Sequence, residues 1–300
     1  MMKFDYDTAV TIRGTKGDQE HRRIITNVLY RYGNMDKNPR PKYADGTPAH
    51  TLSYNGDMSR YDLSKGDFPI ITLRPIATKS AIGEILWIYQ DQSNDLDILK
   101  NKYGITWWDP WKLENENTIG QVYGATVKRW DLMNRLLEGI KKDPDGRRHI
   151  MSLWQEQDLR EPNGLKPCAF LTMWNVVHAK DKDYLDMALV IRSSDFMTAG
   201  CINQVQYVAL QYMVARHLGY EPGVFTFFMN NIQIYDRHID GAKELINRTP
   251  VVCSPKLWLN PDKKDFYDFT IDDIKVIDYP VDEIKKQNPQ IDAFKENIGI

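Results

Sequence analysis

Cysteine is scarce in this chain of 300 residues, which contains three, at positions 168, 201 and 253. An odd number of widely spaced cysteines without a Cys-X-X-Cys pair suits neither a disulfide framework nor a zinc cage. The cysteines therefore predict no metal site. A catalytic role for one of the three thiols stays open at this point.

A basic excess and a long apolar run are also lacking. The chain has 39 Lys and Arg against 41 Asp and Glu, a formal net charge of -2, whereas proteins that coat DNA or RNA usually carry a basic excess. No apolar stretch approaches the roughly 18 residues that a membrane span needs, and the opening MMKFDYDTAV lacks the hydrophobic region of a signal peptide. We therefore expect no DNA partner, no membrane partner and a cytoplasmic protein.

Hydrophobic residues make up 42% of the chain, enough for a large core. Apolar residues at helical spacing predict a core helix over 78–90 and a second over 202–218 that ends at Gly219. Strands are predicted at 148–154, 170–177, 184–192 and 224–229, with one or two more after Asp265. Because strands come in runs, with long helices between the runs, the pattern favours an α+β fold over a doubly wound parallel sheet. Without repeats or linkers, residues 1–300 are predicted to form a single domain.

Cys168 stands in the segment KPCAF, where Pro167 fixes the backbone before it and an apolar strand begins after it. Arg147 and Arg148 precede it, and Arg192 follows, so strands returning beside one another would bring cations near the thiol. Positive charge lowers a thiol pKa and raises the reactive thiolate fraction. The alternatives are a buried, unreactive cysteine and a solvated basic turn after DPDG.

Two further features, the run 192–195 and Glu84, each allow a functional and a purely structural interpretation. The run RSSD at 192–195 joins a guanidinium, two hydroxyls and an acid, which suits either a phosphate site or an ordinary surface ion pair. Glu84 interrupts an apolar helix face, and carboxylates seldom enter a core without a partner or a task. Burial would raise its pKa and suit it to proton transfer, unless the helix turns it outward.

Aromatic and amide side chains supply further candidates. The tryptophans of TWWDPW, at 107, 108 and 111, are either core residues or a wall on which a flat heterocycle stacks. Asn203 stands near the start of the second long helix. Its amide either contacts a pyrimidine edge or caps the helix.

These residues, in this order, resemble the thymidylate synthase family over most of the chain. The segments that carry the resemblance are DGTPAHTLS (45–53), FPIIT (68–72), GEILWIYQ (83–90), TWWDPW (106–111), IGQVYG (119–124), DPDGRRHIMSLW (143–154), KPCAF (166–170), RSSD (192–195), INQVQY (202–207) and IYDRHID (234–240). Ten segments in register make the resemblance specific. DGTPAHTLS and KDFYDFTIDD are most similar to the form found in some Gram-positive bacteria and their phages. The resemblance implies a thymidylate synthase-like fold in which one sheet face forms a homodimer interface.

The resemblance also implies a reaction and the residues that carry it. Cys168 would add to C6 of dUMP, and 5,10-methylenetetrahydrofolate would donate the carbon and the hydride that yield dTMP. Glu84 would organise water that moves protons at O4, and Tyr123 would assist removal of the C5 proton. The catalytic residues implied are Cys168, Glu84, Tyr123, Asn203 and Asp195.

Two further sets of residues follow from the resemblance. The nucleotide would be bound by Arg40, Arg147, Arg148, Arg192, Ser193, Asn203, Gln233 and Tyr235, with Arg147 and Arg148 reaching in from the partner subunit. The folate would be held by Trp108, Trp111, Asp195, Ala199 and Ile300. No metal is implied.

Some positions depart from the family pattern and keep other activities open. The family commonly has His where this chain has Ala169, Gly where it has Ala199, and Asp and His where it has Asn231 and Gln233. The methyl group of Ala199 stands where folate packs closely, so a pyrimidine-nucleotide hydroxymethylase that adds water to the same intermediate is an alternative. Asn203 favours a uracil base. A catalytically silent nucleotide- or RNA-binding relative is a third reading, and the joint presence of the catalytic set argues against it.

Overall fold

A six-stranded sheet forms the frame of the protein in the computed structural model, which describes residues 14–296 and Gly299. Its strands are β1 (Asn34–Met35), β2 (Thr51–Asp62), β3 (Ile150–Ser152), β4 (Ala169–His178), β5 (Asp183–Asp195) and β6 (Glu221–Tyr235). Their spatial order is β1-β2-β6-β5-β4-β3, and neighbours are antiparallel except for the parallel pair β5 and β6. The predicted α+β fold with a mixed, mostly antiparallel sheet is confirmed.

Helices pack around this sheet. They are α1 (Lys16–Thr26), α2 (Thr78–Tyr89), α3 (Leu96–Tyr103), α4 (Gly124–Arg129), α5 (Leu132–Lys142), α6 (Gly200–Leu218), α7 (Ile239–Asn247), α8 (Val281–Gln287) and α9 (Ala293–Glu296). A π-helical segment, Asn27–Tyr32, extends α1. None of the helices in the described part of the chain is long and apolar enough to cross a membrane.

The long helix α6 explains the one parallel strand pair. Parallel neighbours need a crossover connection, and α6 runs from the end of β5 back to the start of β6. It ends at Gly219, whose φ of 80° is the left-handed conformation that glycine adopts readily. Both predicted core helices are confirmed, and α6 packs against α2 over the sheet.

The predicted strands are confirmed with shifted ends. The strand predicted at 148–154 is shorter, and that at 224–229 is longer and continues to Tyr235. The predicted C-terminal strand is β8 (Ile274–Ile277), which pairs with β7 (Lys256–Leu259) in a separate two-stranded sheet. Residues 1–13 lie outside the described residues, so the single domain over 1–300 stays a prediction.

The two faces of the main sheet differ. On β5 and β6, alternate side chains such as Leu189 and Phe227 are fully buried on the side of α6. The intervening side chains, among them Val190 and Phe228, are half-buried or exposed. One face is therefore covered by helices and the other presents apolar side chains to solvent.

Candidate active site

Cys168 lies immediately before β4, where that strand starts beside the end of β5. Its carbonyl accepts a hydrogen bond of 3.0 Å from the Arg192 N–H, and its own N–H donates one of 3.1 Å to the hydroxyl of Tyr123. The thiol is half-buried. Its backbone is thus held at both its N–H and its carbonyl, while the residue as a whole stays partly exposed.

Arg192 curls around the turn that carries the thiol. Its Nε donates to the carbonyl of Pro167 at 2.9 Å and its Nη2 to that of Lys166 at 2.8 Å, and Nη2 lies 3.6 Å from the sulfur of Cys168. Burial raises the pKa of Cys168, the Arg192 charge opposes the rise, and Asp195 adds to it. The net shift of this thiol pKa is upward, because burial outweighs one guanidinium.

Arg147 and Arg148 do not approach Cys168 in the same chain, contrary to the first expectation from the sequence. Both are exposed in the loop before β3. The next residue, His149, accepts a hydrogen bond of 2.9 Å from the backbone of Trp174, six residues beyond Cys168 along β4. At about 3.3 Å per strand residue, the backbone beside His149 is about 20 Å along β4 from that of Cys168.

Glu84 points into the core from α2 and is 6% exposed, so the outward alternative is wrong. Its Oε2 accepts a hydrogen bond from the indole N–H of Trp107. Burial raises the pKa of Glu84 to about 7, and the hydrogen bond from Trp107, followed by the nearby donors of Trp108 and Gln206, lowers it in part. A carboxyl group with this pKa can take up and release protons near neutral pH.

Tyr123 connects the thiol to the tryptophans. It precedes α4 with a φ of 50°, and its ring stands edge-on against Trp108 at a centroid distance of 5.0 Å. Trp108 packs in the same way against Trp111 at 5.7 Å. Trp108 is buried in the core, while Trp111 and Trp107 are partly accessible. Burial raises the pKa of Tyr123 well above its ordinary value, so its hydroxyl keeps its proton at neutral pH.

Asn203 lies inside the first turn of α6 and does not cap it. The capping position is Ala199, whose carbonyl accepts a hydrogen bond of 2.8 Å from the Asn203 N–H. The side-chain Nδ2 of Asn203 donates to the Oε1 of Gln206 at 3.0 Å. The helix-capping alternative is wrong, and the amide is held by another side chain.

The ends of β5 and β6 bring together the polar residues predicted there. Ser193 pairs with Asn231 and Asp195 pairs with Gln233 in the parallel register. The Asp195 carboxylate accepts a hydrogen bond from the hydroxyl of Thr198. Burial raises the pKa of Asp195, and the charge of His238 acts against this rise. Ala199 also lies close to Asp195, because its N–H donates a hydrogen bond of 2.9 Å to the Asp195 carbonyl.

Tyr235 ends β6 beside the loop that carries Arg40. The Tyr235 ring packs edge-on against Tyr43 at 6.0 Å, and its hydroxyl donates to the carbonyl of Gly299 at 3.4 Å. Burial raises the pKa of Tyr235, and the nearby charge of Arg40 opposes that rise. Arg40 is exposed. Ile300 lies outside the described residues.

The sequence analysis did not identify Gln206, which also belongs to this candidate site. Gln206 is buried and lies between Asn203 and Glu84. The signal was available, because residues three apart on a helix are neighbours on its surface. Trp107 was considered only as one of three indoles, and no sequence pattern identifies it as the partner of Glu84.

Comparisons with known proteins agree with this geometry. The chain matches the family model described as thymidylate synthase over residues 19–290. It is 47% identical over 274 residues to the thymidylate synthase of Streptococcus pneumoniae (strain 70585), covering 91% of this chain and 97% of the relative. The corresponding enzyme of Streptococcus gordonii is 46% identical over the same shares.

A solved structure gives the same result. The thermostable thymidylate synthase A from Bacillus subtilis superposes with a TM-score of 0.83 at 36% identity, covering 95% of this chain and 99% of that one. Both the sequence match and the structural match span nearly the whole length of the relatives. The chain belongs to the thymidylate synthase family.

Proposed function

We propose that this protein methylates dUMP to dTMP with Cys168 as nucleophile. The observation that supports this proposal most is that the half-buried Cys168 lies beside Arg192 and Tyr123, in a site that also contains a buried acid, Glu84. Family membership supports this activity, which makes the protein a methyltransferase. Methylenetetrahydrofolate, the second substrate, supplies both the carbon and the hydride.

Cys168 forms the first bond of the reaction. Its sulfur adds to C6 of the uracil ring, and this makes C5 electron-rich enough to attack the folate carbon. Arg192 supplies the positive charge that a thiolate needs, at 3.6 Å from the sulfur. Once the methyl group is complete, the C6–S bond breaks and the thiolate is regenerated.

Proton transfer is assigned to Glu84 and Tyr123, and binding of the base to Asn203. Glu84, with a pKa of about 7, relays protons to and from O4 through water. The Tyr123 hydroxyl, held at the backbone of Cys168, assists removal of the C5 proton. Asn203 hydrogen-bonds the O4 and N3 edge of the base.

The nucleotide phosphate and ribose are held at the ends of β5 and β6. Arg192 and Ser193 bind the phosphate together with Arg40, whose guanidinium is close enough to Tyr235 to affect its pKa. Gln233 and Tyr235 face the ribose. Binding energy from the dianionic phosphate, remote from the reacting carbon, orients the base for attack.

A second copy of the chain completes the site. The loop that carries Arg147 and Arg148 is well separated from Cys168 in the same chain, and both arginines are exposed. The sheet face opposite α6 exposes apolar side chains such as Phe228 and Met58, as expected for an interface. We therefore propose a homodimer through this face, with both arginines contributed across it.

The folate site lies beside Asp195. Asp195 would hold the pterin, and Trp108 and Trp111 would pack against it. Ala199 and Ile300, the last residue of the chain, would also contact the folate. A half-buried carboxylate at Asp195 and a partly accessible indole at Trp111 are side chains that suit a flat heterocycle with amide groups. A dry pocket favours hydride transfer over capture of water.

One assay tests this function against the hydroxymethylase. The protein is incubated with dUMP and methylenetetrahydrofolate, the nucleotide product is weighed by mass spectrometry, and dihydrofolate is measured. A methyl gain with stoichiometric dihydrofolate is expected, in line with the relatives, which are named as synthases. A hydroxymethyl gain without dihydrofolate, or dUMP binding without turnover, would overturn the proposal.

A further inference from the structure

Gln206 lies between two residues of the proposed site, on the buried side of α6. Its side chain is 2% exposed. Its Oε1 accepts the hydrogen bond from the Nδ2 of Asn203, one turn earlier in the helix. The amide of Asn203 is therefore not free to rotate without breaking a buried contact, which is costly.

The other end of the Gln206 amide is near enough to Glu84 to affect the pKa of that acid. The Nε2 of Gln206 is buried and has no partner at ordinary hydrogen-bond length in the described part of the chain. As a donor, this amide lowers the pKa of Glu84. While Glu84 is ionised it only accepts hydrogen bonds, so the NH₂ end of the amide is favoured on its side. This leaves the oxygen of Gln206 facing Asn203.

We propose that Gln206 is a positioning residue that holds the Asn203 amide in the orientation that binds uracil, and so selects uracil over cytosine nucleotides. The inference rests on the proposed function, in which Asn203 contacts the pyrimidine edge. Uracil presents a donor at N3 and an acceptor at O4. With one hydrogen of Nδ2 given to Gln206, the second donates to O4 and Oδ1 accepts from N3–H.

Asn203 alone cannot make this choice. Cytosine presents an acceptor at N3 and an amine at C4, and an asparagine amide turned by 180° matches it equally well. Turning the amide here would place Oδ1 of Asn203 against Oε1 of Gln206. Turning Gln206 as well would place its oxygen against the carboxylate of Glu84. Each rearrangement sets two acceptors against each other, and such repulsion is how a site rejects a near-identical ligand.

The substitution Gln206→Met tests the inference, because it keeps the length of the side chain and removes both hydrogen-bonding ends. Dissociation constants of dUMP and dCMP are measured by calorimetry, with kcat/KM for both nucleotides. We expect the preference for dUMP over dCMP to fall by about tenfold or more. The matched control is Gln211→Met on the same helix, whose buried amide donates to the carbonyls of Leu185 and Val224. There the preference should not change.

A second variant retains the hydrogen bond to Asn203. Gln206→Glu retains an oxygen that accepts from Asn203, and its second oxygen, protonated beside the buried Glu84, can donate to that carboxylate, so the preference for dUMP should persist in its binding constants. Loss of that preference in Gln206→Glu, or an unchanged preference in folded Gln206→Met, would overturn the inference alone. Failure of the unsubstituted protein to bind dUMP would overturn the proposed function and this inference with it.

Discussion

The indole N–H of Trp107 donates a hydrogen bond to the Oε2 of Glu84, so a ring that is 37% exposed is joined to a buried acid. Among the hydrogen bonds that lower the pKa of Glu84, this one has the largest effect. Burial acts in the opposite direction and is stronger, which brings the pKa to about 7. The proton affinity of the acid is thus set by a balance in which one indole takes part.

Removing the indole donor should shift the pH dependence of catalysis. In Trp107→Phe, Glu84 loses a hydrogen bond that favours its ionised form, so its pKa rises and the acid limb of kcat moves to higher pH by about one unit. Steady-state kinetics over a range of pH measures this. Trp258→Phe, on β7 beside Lys275, is the control and should leave the limb in place. An unmoved limb in Trp107→Phe contradicts the role assigned to the contact.

Glu84 should also make stability depend on pH. Its pKa rises from 4.5 in the unfolded chain to about 7 in the folded protein, so folding is favoured most below pH 4.5 and less as pH increases through 7. Glu84→Gln removes this loss and should raise the free energy of unfolding by about 3 kcal/mol at pH values above 7. Below pH 4.5 the gain should vanish.

Urea denaturation at both pH values measures the effect. Glu138→Gln, at an exposed position on α5, is the matched control and should show no pH-dependent gain. An equal gain for Glu84→Gln at low and high pH would mean that the cost of the acid does not come from its ionisation.

Two inactive variants should complement each other if arginines cross the dimer interface. Cys168→Ala lacks the nucleophile. The double variant Arg147→Ala with Arg148→Ala lacks the two arginines that would reach into the partner subunit's site. In a co-expressed mixture half of the dimers are mixed and one site of each is intact, so about a quarter of the sites should be active. Turnover of dUMP per subunit measures this. Absence of activity in the mixture, or full activity of the arginine variant alone, contradicts the shared site.

The sequence predicted two buried helices from their apolar periodicity and missed a long strand that lacks such a pattern. The apolar spacing of α2 and α6, and the glycine after α6, gave both helices within about two residues of their observed ends. β2 was missed because TLSYNGDMSRYD mixes polar residues and an Asn-Gly pair with buried positions. It is a strand because it pairs along its length with β6, a contact that local propensity does not encode.

The sequence could name candidate residues for the site but not their geometry. The distance between Cys168 and Arg192 follows from the register of β4 and β5 and from a guanidinium that curls back on the turn. The upward shift of the thiol pKa depends on burial, which spacing along the chain does not reveal. The separation of Arg148 from Cys168 likewise required the sheet order.

The most direct test of the central claim is to trap the bond between Cys168 and C6 of the nucleotide. A dUMP analogue with fluorine at C5 can undergo sulfur addition and attack on methylenetetrahydrofolate, but fluorine does not leave as a cation, so the complex should accumulate. Mass spectrometry of the denatured protein should then show one added nucleotide and folate on the peptide that contains Cys168. The adduct should form in Cys253→Ala and not in Cys168→Ala. An adduct on any other residue, or none in a protein that turns over dUMP, would contradict the account.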